Sequence, residues 1–244
     1  MMKNALILGA TSDLARALAD GLARSGWSLT LAARDAEAVG RIASDLAIRH
    51  GAEAKAVVFD ALELSRHAEF AASLPCRPDA VYAVFGYLGD PILARTDAEE
   101  RRKILDTNFT AAVHVLDRFA AEMEKRGSGL IVGISSVAGD RGRRSHPYYC
   151  AAKAGFTAYL DALRGRLHSS GAHVMTVKPG FLRTRMTEGM KLPPLITATP
   201  DRAAAIILRA AEKRRDRVYV LGIWRWIMSV IRMIPERIFK RLPL

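Results

Sequence analysis

The chain has 244 residues, half of them hydrophobic and a quarter charged, which suits one domain with a large core and excludes collagen-like, low-complexity and disulfide-framed classes. Its two cysteines, Cys76 and Cys150, lack metal-ligand spacing, so no metal site is expected, and they suit a reducing compartment. The formal charge of +12 would attract nucleic acid, anionic lipid or phosphorylated molecules, and its location decides among them.

The first apolar run, Ala5-Leu6-Ile7-Leu8, is too short for a signal peptide or a spanning helix. Gly9-Ala10-Thr11-Ser12-Asp13-Leu14-Ala15 follows, with Leu14, Leu18 and Leu22 at helical spacing, then a second run from Trp27 to Ala33. Strand, turn, helix and strand of this length form a βαβ unit suited to a dinucleotide, its pyrophosphate over the helix N-terminus. Gly9, Thr11, Ser12, Asp13 and Leu14 are the candidate cofactor contacts. Only Gly9 stands at a usual glycine position, and the carboxylate of Asp13 repels a pyrophosphate unless it points away as a turn or cap ligand. Taken alone, the stretch is equally a plain strand–helix turn.

Arg34-Asp35 follows the second strand. An arginine there accommodates a ribose 2′-phosphate and an acid binds the 2′-hydroxyl. Arg34 comes first, which favours NADP(H), while Asp35 keeps NAD(H) open. Val57 to Asp60 reads as a third strand and Val81 to Gly86 as a fourth, with Gly86 and Gly89 at its exit for close backbone approach. A helical pattern runs from Asp97 to about Arg126. It places Asn108 among apolar neighbours, either as a satisfied structural amide or as a kink that holds a water.

Ser135 to Lys153 carries the chemistry. Tyr149 and Lys153 are four residues apart, on one helix face. A free phenol has a pKa near ~10. An ammonium one turn away favours phenolate and is expected to lower that value, which suits acid–base work. Ser136 ends the strand-like run Leu130 to Ile134, thirteen residues before Tyr149, so its hydroxyl and the phenol can meet at one carbonyl oxygen. A lone pair of this spacing is often only a solvated helical turn, so the rest of the chain carries the case. Arg141, Arg143 and Arg144 lie between the serine and the tyrosine. Arg143 and Arg144 are expected to hold a substrate phosphate, against the alternative of a solvated loop.

Val174 to Val177 reads as the sixth strand and precedes Pro179-Gly180. Thr184 to Pro200, rich in Met, Pro and Leu, is either a movable lid or an ordinary hydrophobic loop. A helix from Pro200 to about Arg214 and a strand Val218 to Val220 follow. The tail from Ile223 holds two tryptophans, a broad apolar surface and several arginines. It is too short and charged to span a bilayer and suits an interfacial helix on an anionic leaflet, or a helix packed on its own domain or on a second subunit.

Together, Gly9, Asp60, Asn108, Ser136, Tyr149, Lys153, Pro179-Gly180 and Thr184 occur in an order that resembles the short-chain dehydrogenase/reductase family, over residues 3 to 220. The resemblance implies that Tyr149 is the general acid in reduction and that Lys153 lowers its pKa and holds the nicotinamide ribose. It further implies that Ser136 binds the substrate carbonyl, Asn108 anchors a proton-relay water, Asp60 meets the adenine and Thr184 the carboxamide. Asp13 and the segment Phe85-Gly86-Tyr87-Leu88-Gly89 depart from the family pattern. The stretches GATSDLA, FGYLGD, NFTAAV, GDRGRR, PGFLRTRM and IRMIPERIFKRLPL resemble more narrowly the reductases of decaprenylphosphoryl-2-keto-β-D-erythro-pentose, which work with a partner oxidase.

The expected architecture is a single α/β domain with a doubly wound, Rossmann-type parallel sheet at 1–222 and an amphipathic basic tail at 223–244. Three readings stay open: a reductase of a keto-sugar on a polyprenyl phosphate, a reductase of another carbonyl with the tail used for oligomerisation, and a non-catalytic nucleotide-binding scaffold. Nucleic acid is not an expected partner, because no recognised motif accompanies the charge. The resemblance implies a homodimer or homotetramer. The expected location is cytoplasmic, with peripheral contact at the inner membrane face through the tail.

Overall fold

The computed structural model describes residues 3–242. In chain order the strands and helices are β1 (Asn4–Leu8), α1 (Asp13–Arg24), β2 (Ser28–Ala33), α2 (Ala36–His50), β3 (Ala54–Val58), α3 (His67–Ala72), β4 (Ala80–Ala83), α4 (Leu93–Thr96), α5 (Ala98–Leu105), α6 (Ala111–Arg126), β5 (Leu130–Ile134), α7 (Pro147–Leu167), β6 (His173–Lys178), β7 (Phe181–Leu182), β8 (Thr197–Ala198), α8 (Pro200–Glu212), β9 (Arg217–Tyr219), α9 (Ile223–Met233) and α10 (Glu236–Phe239).

Seven strands form one parallel sheet in the order β3-β2-β1-β4-β5-β6-β9. β1 and β2 are buried at every position because helices cover both faces, so they read as continuous apolar runs. Alternation along β1 divides the core. Ala5 and Ile7 face a layer built by α1, α2 and α8, while Leu6 and Leu8 face α3, α6 and α7. The strand order reverses between β1 and β4, and the turns after the strands meet along the carboxyl edge of the sheet. Ligands of open α/β sheets bind at that place.

Three elements differ from expectation. β3 begins three residues earlier, at Ala54, and ends at Val58, so Phe59 and Asp60 lie beyond it; β3 is an edge strand whose outward positions are exposed, which hides it from apolar pattern. β4 ends at Ala83; the Val84 N–H still donates to the Leu8 carbonyl at 2.9 Å, and Phe85 and Gly86 lie beyond the strand. The long helix is interrupted: α5 and α6 are joined by a π-helical turn at Asp106–Thr110, and Asn108 sits in it.

The segment between β7 and β8 leaves the sheet and returns, its base closed by a two-residue parallel ladder. The boundary expected at 222 does not mark the edge of the core. Trp224 and Met228 of α9 are 4% and 0% exposed, and both belong to the same core as α1 and α8. The Trp224 indole N–H donates to the Ile196 carbonyl at 2.9 Å. The tail therefore packs on its own domain with one of its faces.

Candidate active site

Each strand of the carboxyl edge delivers part of the site. The turn after β1 holds Gly9 at φ +85°, where a Cβ would stand 2.7 Å from the Phe85 backbone nitrogen. Only glycine allows this approach of the β1 and β4 exits. Ser12 caps α1 and accepts from the Ala15 N–H at 3.3 Å. Leu14 is buried beneath the turn. The Asp13 carboxylate is engaged by a distant residue: it accepts from the Arg185 backbone N–H at 2.8 Å and pairs with the Arg185 guanidinium at 3.3 Å. Arg185 also donates to the Thr11 carbonyl. The acid at this turn is thus neutralised by a residue 172 positions later.

Gly86 leads the turn after β4. A Cβ there would stand 3.0 Å from Asn108 Oδ1 and 3.7 Å from Lys153 Nζ. Asn108 is a satisfied amide. Its Nδ2 donates to the carbonyls of Tyr87 at 2.5 Å and Ile104 at 2.8 Å, and its Oδ1 accepts from the Tyr87 N–H at 3.2 Å. The π turn aims it at this loop, so its side chain fixes backbone.

Ser136 follows β5 with an extended backbone, and its hydroxyl accepts from the Ala138 N–H at 3.1 Å. Its neighbour Ser135 is structural: buried, it donates to the Lys153 carbonyl at 3.0 Å and shares a 2.7 Å hydrogen bond with Thr157. Pro147 opens α7 at a position that needs no N–H. Tyr149 and Lys153 then face the Ser136 side from one face of the helix. Lys153 is buried, its Nζ 5.7 Å from the Tyr149 ring centre and donating to the Ile134 carbonyl at 3.1 Å.

The expected drop in the Tyr149 pKa is not found in this state. Burial pushes the phenol up to about 12, and the Ser136 hydroxyl only partly offsets it. Burial also lowers Lys153, from its ordinary 10.5 to about 8. Desolvation sets the direction of both shifts, because the charged forms of the two groups both need solvation the site denies. The phenol is therefore held protonated, the form that donates a proton.

These groups line a cavity of about 440 Å³ with Gly86, Pro179, Thr184 and Arg185. Its remaining walls are mostly apolar and include Leu88, Leu182, Met186 and Met190. A second cavity of about 250 Å³ adjoins it through Ser12, Gly86 and Arg185, and is lined by Gly9, Thr11, Arg34 and Asp60. Asp60 accepts from the Leu62 N–H at 2.9 Å as it turns the chain past β3. The exposed Arg34 stands at this end, whereas Asp35 caps α2 by accepting from the Ala38 N–H at 2.9 Å. The groove fits a nicotinamide dinucleotide: both glycine cradles would be blocked by a side chain, a helix N-terminus opens between them, and an arginine waits at the far end.

The basic loop divides. Asp140 pairs with the buried Lys178 and accepts from the Tyr219 hydroxyl at 2.9 Å. Arg141 donates to the carbonyls of Ile231 and Ile234, both at 2.6 Å, and lies 3.7 Å over the Phe239 ring. Arg143 enters the catalytic cavity, with Nη2 3.8 Å from Met228 Sδ and a buried Nε that has no partner among the described residues. Arg144 does not: it is exposed and outside the cavity. Sequence reasoning missed Arg185, Asp140 and Lys178 as site-building residues. No local spacing links any of them to its partner.

A doubly wound sheet whose switch point opens into this groove, with the Tyr149 phenol and the Lys153 amine inside it, fits a nucleotide-dependent oxidoreductase. The chain belongs to the short-chain dehydrogenase/reductase family, whose model, described as short chain dehydrogenase, matches residues 3–193. An uncharacterised oxidoreductase of Mycobacterium tuberculosis is 36% identical over 98% of this chain and 96% of its own length. A 3-oxoacyl-(acyl-carrier-protein) reductase of Synechocystis is 30% identical over 80% of this chain and 81% of its own. Among solved structures, a short-chain dehydrogenase from Sphingobium yanoikuyae in complex with NADPH superposes with a TM-score of 0.84 at 23% identity, covering 96% of this chain and 97% of that one.

Proposed function

We propose that the chain is an NADPH-dependent ketone reductase whose substrate is a keto-sugar on a polyprenyl phosphate, of the decaprenylphosphoryl-2-keto-β-D-erythro-pentose type. The observation that carries this reading is Arg143, an arginine with an unpartnered buried Nε in the otherwise largely apolar cavity of Ser136, Tyr149 and Lys153. A guanidinium suits a phosphate, and methionine and leucine walls suit a lipid chain attached to it. Arg34 beside Asp60 favours the 2′-phosphate of NADPH, and Asp35 is engaged as a helix cap.

The nicotinamide, when bound, supplies the hydride. The chain does the rest. Ser136 holds the carbonyl oxygen, and Tyr149 gives it the phenolic proton as the carbon is reduced. Lys153, one helical turn below, stabilises the phenolate left behind. Asn108 fixes the backbone of the loop after β4, and Gly86 leaves room there that a nicotinamide would need. The substrate's 2-keto group would come from an oxidase acting on the same lipid-linked sugar.

The test compares a short-chain polyprenyl-phospho-2-keto-pentose with a 3-oxoacyl thioester, using wild type and Arg143→Ala. The expected result is preference for the keto-sugar, with KM raised about tenfold in the variant and NADPH affinity unchanged. Preference for the thioester, with KM indifferent to Arg143, would move the enzyme to the acyl-carrier branch.

A further inference from the structure

Helix α9 has two apolar faces with different fates. The inner face places Trp224 and Met228 in the core. The outer face carries Ile223, Trp226, Val230 and Met233, spaced three, four and three residues apart as one helical stripe, and these are 49%, 70%, 59% and 76% exposed. Four large apolar side chains in one exposed row mark a contact surface.

Charge identifies what covers it. Arg225 and Arg232 are exposed on the same helix, and Arg237, Lys240 and Arg241 are exposed just beyond it. The acid in this segment, Glu236, is paired with Arg141 at 3.0 Å. A second copy docked symmetrically on the stripe would set these five cations against five more. An anionic lipid surface instead attracts every one of them, and a tryptophan among aliphatics suits the headgroup boundary. No helix among the described residues is long and apolar enough to cross a membrane, so contact would lie in the surface plane.

We propose that the outer face of α9 docks the enzyme on an anionic bilayer. The helix is tied at three points to segments around the catalytic cavity, one of them a cavity residue. Trp224 holds the Ile196 carbonyl of the β7–β8 excursion, Arg141 gathers the carbonyls at the C-terminal end of α9, and Met228 meets Arg143. Leu195, next to Ile196, is 92% exposed, and Met186 and Met190 of the cavity wall are each 44% exposed. On the reading of a lipid-linked substrate, docking brings this apolar excursion to the bilayer, where the lipid chain resides. The docking itself does not depend on that reading.

The experiment is co-sedimentation of the full chain with vesicles of phosphatidylcholine alone or mixed equally with phosphatidylglycerol. It uses wild type and the triple variant Trp226→Ser/Val230→Ser/Met233→Ser, which spares the inner face. Wild type is expected to sediment with the mixed vesicles, less so at high salt, and the triple variant to bind them about tenfold more weakly with an unchanged melting temperature. Equal sedimentation of the two proteins, or no binding of wild type, would overturn the proposal. So would a triple variant that turns from oligomer to monomer in solution, which would assign the stripe to a second copy. Vesicle binding in an enzyme that fails to reduce lipid-linked ketones would sink the substrate reading and leave the docking intact.

Discussion

Lys153 costs the fold stability. Its pKa falls on folding from 10.5 to about 8, so between those values the unfolded chain binds more protons and stability rises with pH. Below pH 8 the penalty is complete, and above 10.5 it is gone. Lys153→Met is therefore expected to stabilise the cofactor-free protein at pH 7 by on the order of 2 kcal/mol, the hydrogen bond to Ile134 being lost. The gain should vanish above pH 10.5 while activity is lost throughout; urea titrations at the two pH values check it. On the proposed mechanism, reduction by wild type should slow as pH rises through about 8, because the Lys153 ammonium discharges and no longer stabilises a phenolate. Asp13 and Arg185 form the second residue-scale case. Arg185→Ala leaves a bare carboxylate beside the pyrophosphate site and should weaken NADPH binding about tenfold. Adding Asp13→Ala should restore most of it, as titration of both variants would read. The Tyr149–Lys153 pair was legible because four residues make one helical turn. The direction of its pKa shifts was not, because burial is a tertiary quantity. The Asp13–Arg185 pair was illegible for a related reason: 172 residues separate its members.

At the scale of elements, α9 is a structural part of the domain. A Cβ on Gly180 would fall 1.9 Å from the Trp224 ring, so the glycine after Pro179 makes room for the tail. Trp224→Ala should cost about 3 kcal/mol, as large-to-small core changes do, and lower the urea midpoint without changing the slope. A chain ending at Gly222 would lose Trp224 and Met228 from the core, which makes surface substitutions the cleaner probe of the tail's outer face. The sequence pattern announced an amphipathic helix, but a helix with apolar residues on two sides does not say which side the domain takes. β3 was misplaced for the opposite reason, since an edge strand with exposed positions lacks an apolar signature. Of the strands covered on both faces, β1, β2, β5 and β6 were read within one residue of their true bounds, whereas β4 was drawn three residues too far at its end.

At the scale of the molecule, the parallel sheet sets the distances between parts that share no local sequence. Gly9, Gly86, Ser136 and Pro179 each follow a different strand, and the strand order brings them to one edge. Their order along the chain was readable. Whether Arg143 or Arg144 joined them was not, because the path of a loop is a tertiary quantity. In the proposed reaction Tyr149 is the proton donor of a reduction in which NADPH is consumed. The most direct measurement is the loss of reduced-nicotinamide absorbance on adding a ketone substrate, in wild type and Tyr149→Phe, with NADPH affinity measured in both. Turnover is expected to fall about a thousandfold in the variant, with affinity essentially retained. Turnover within tenfold of wild type in the phenylalanine variant would contradict it and leave the proton to another group.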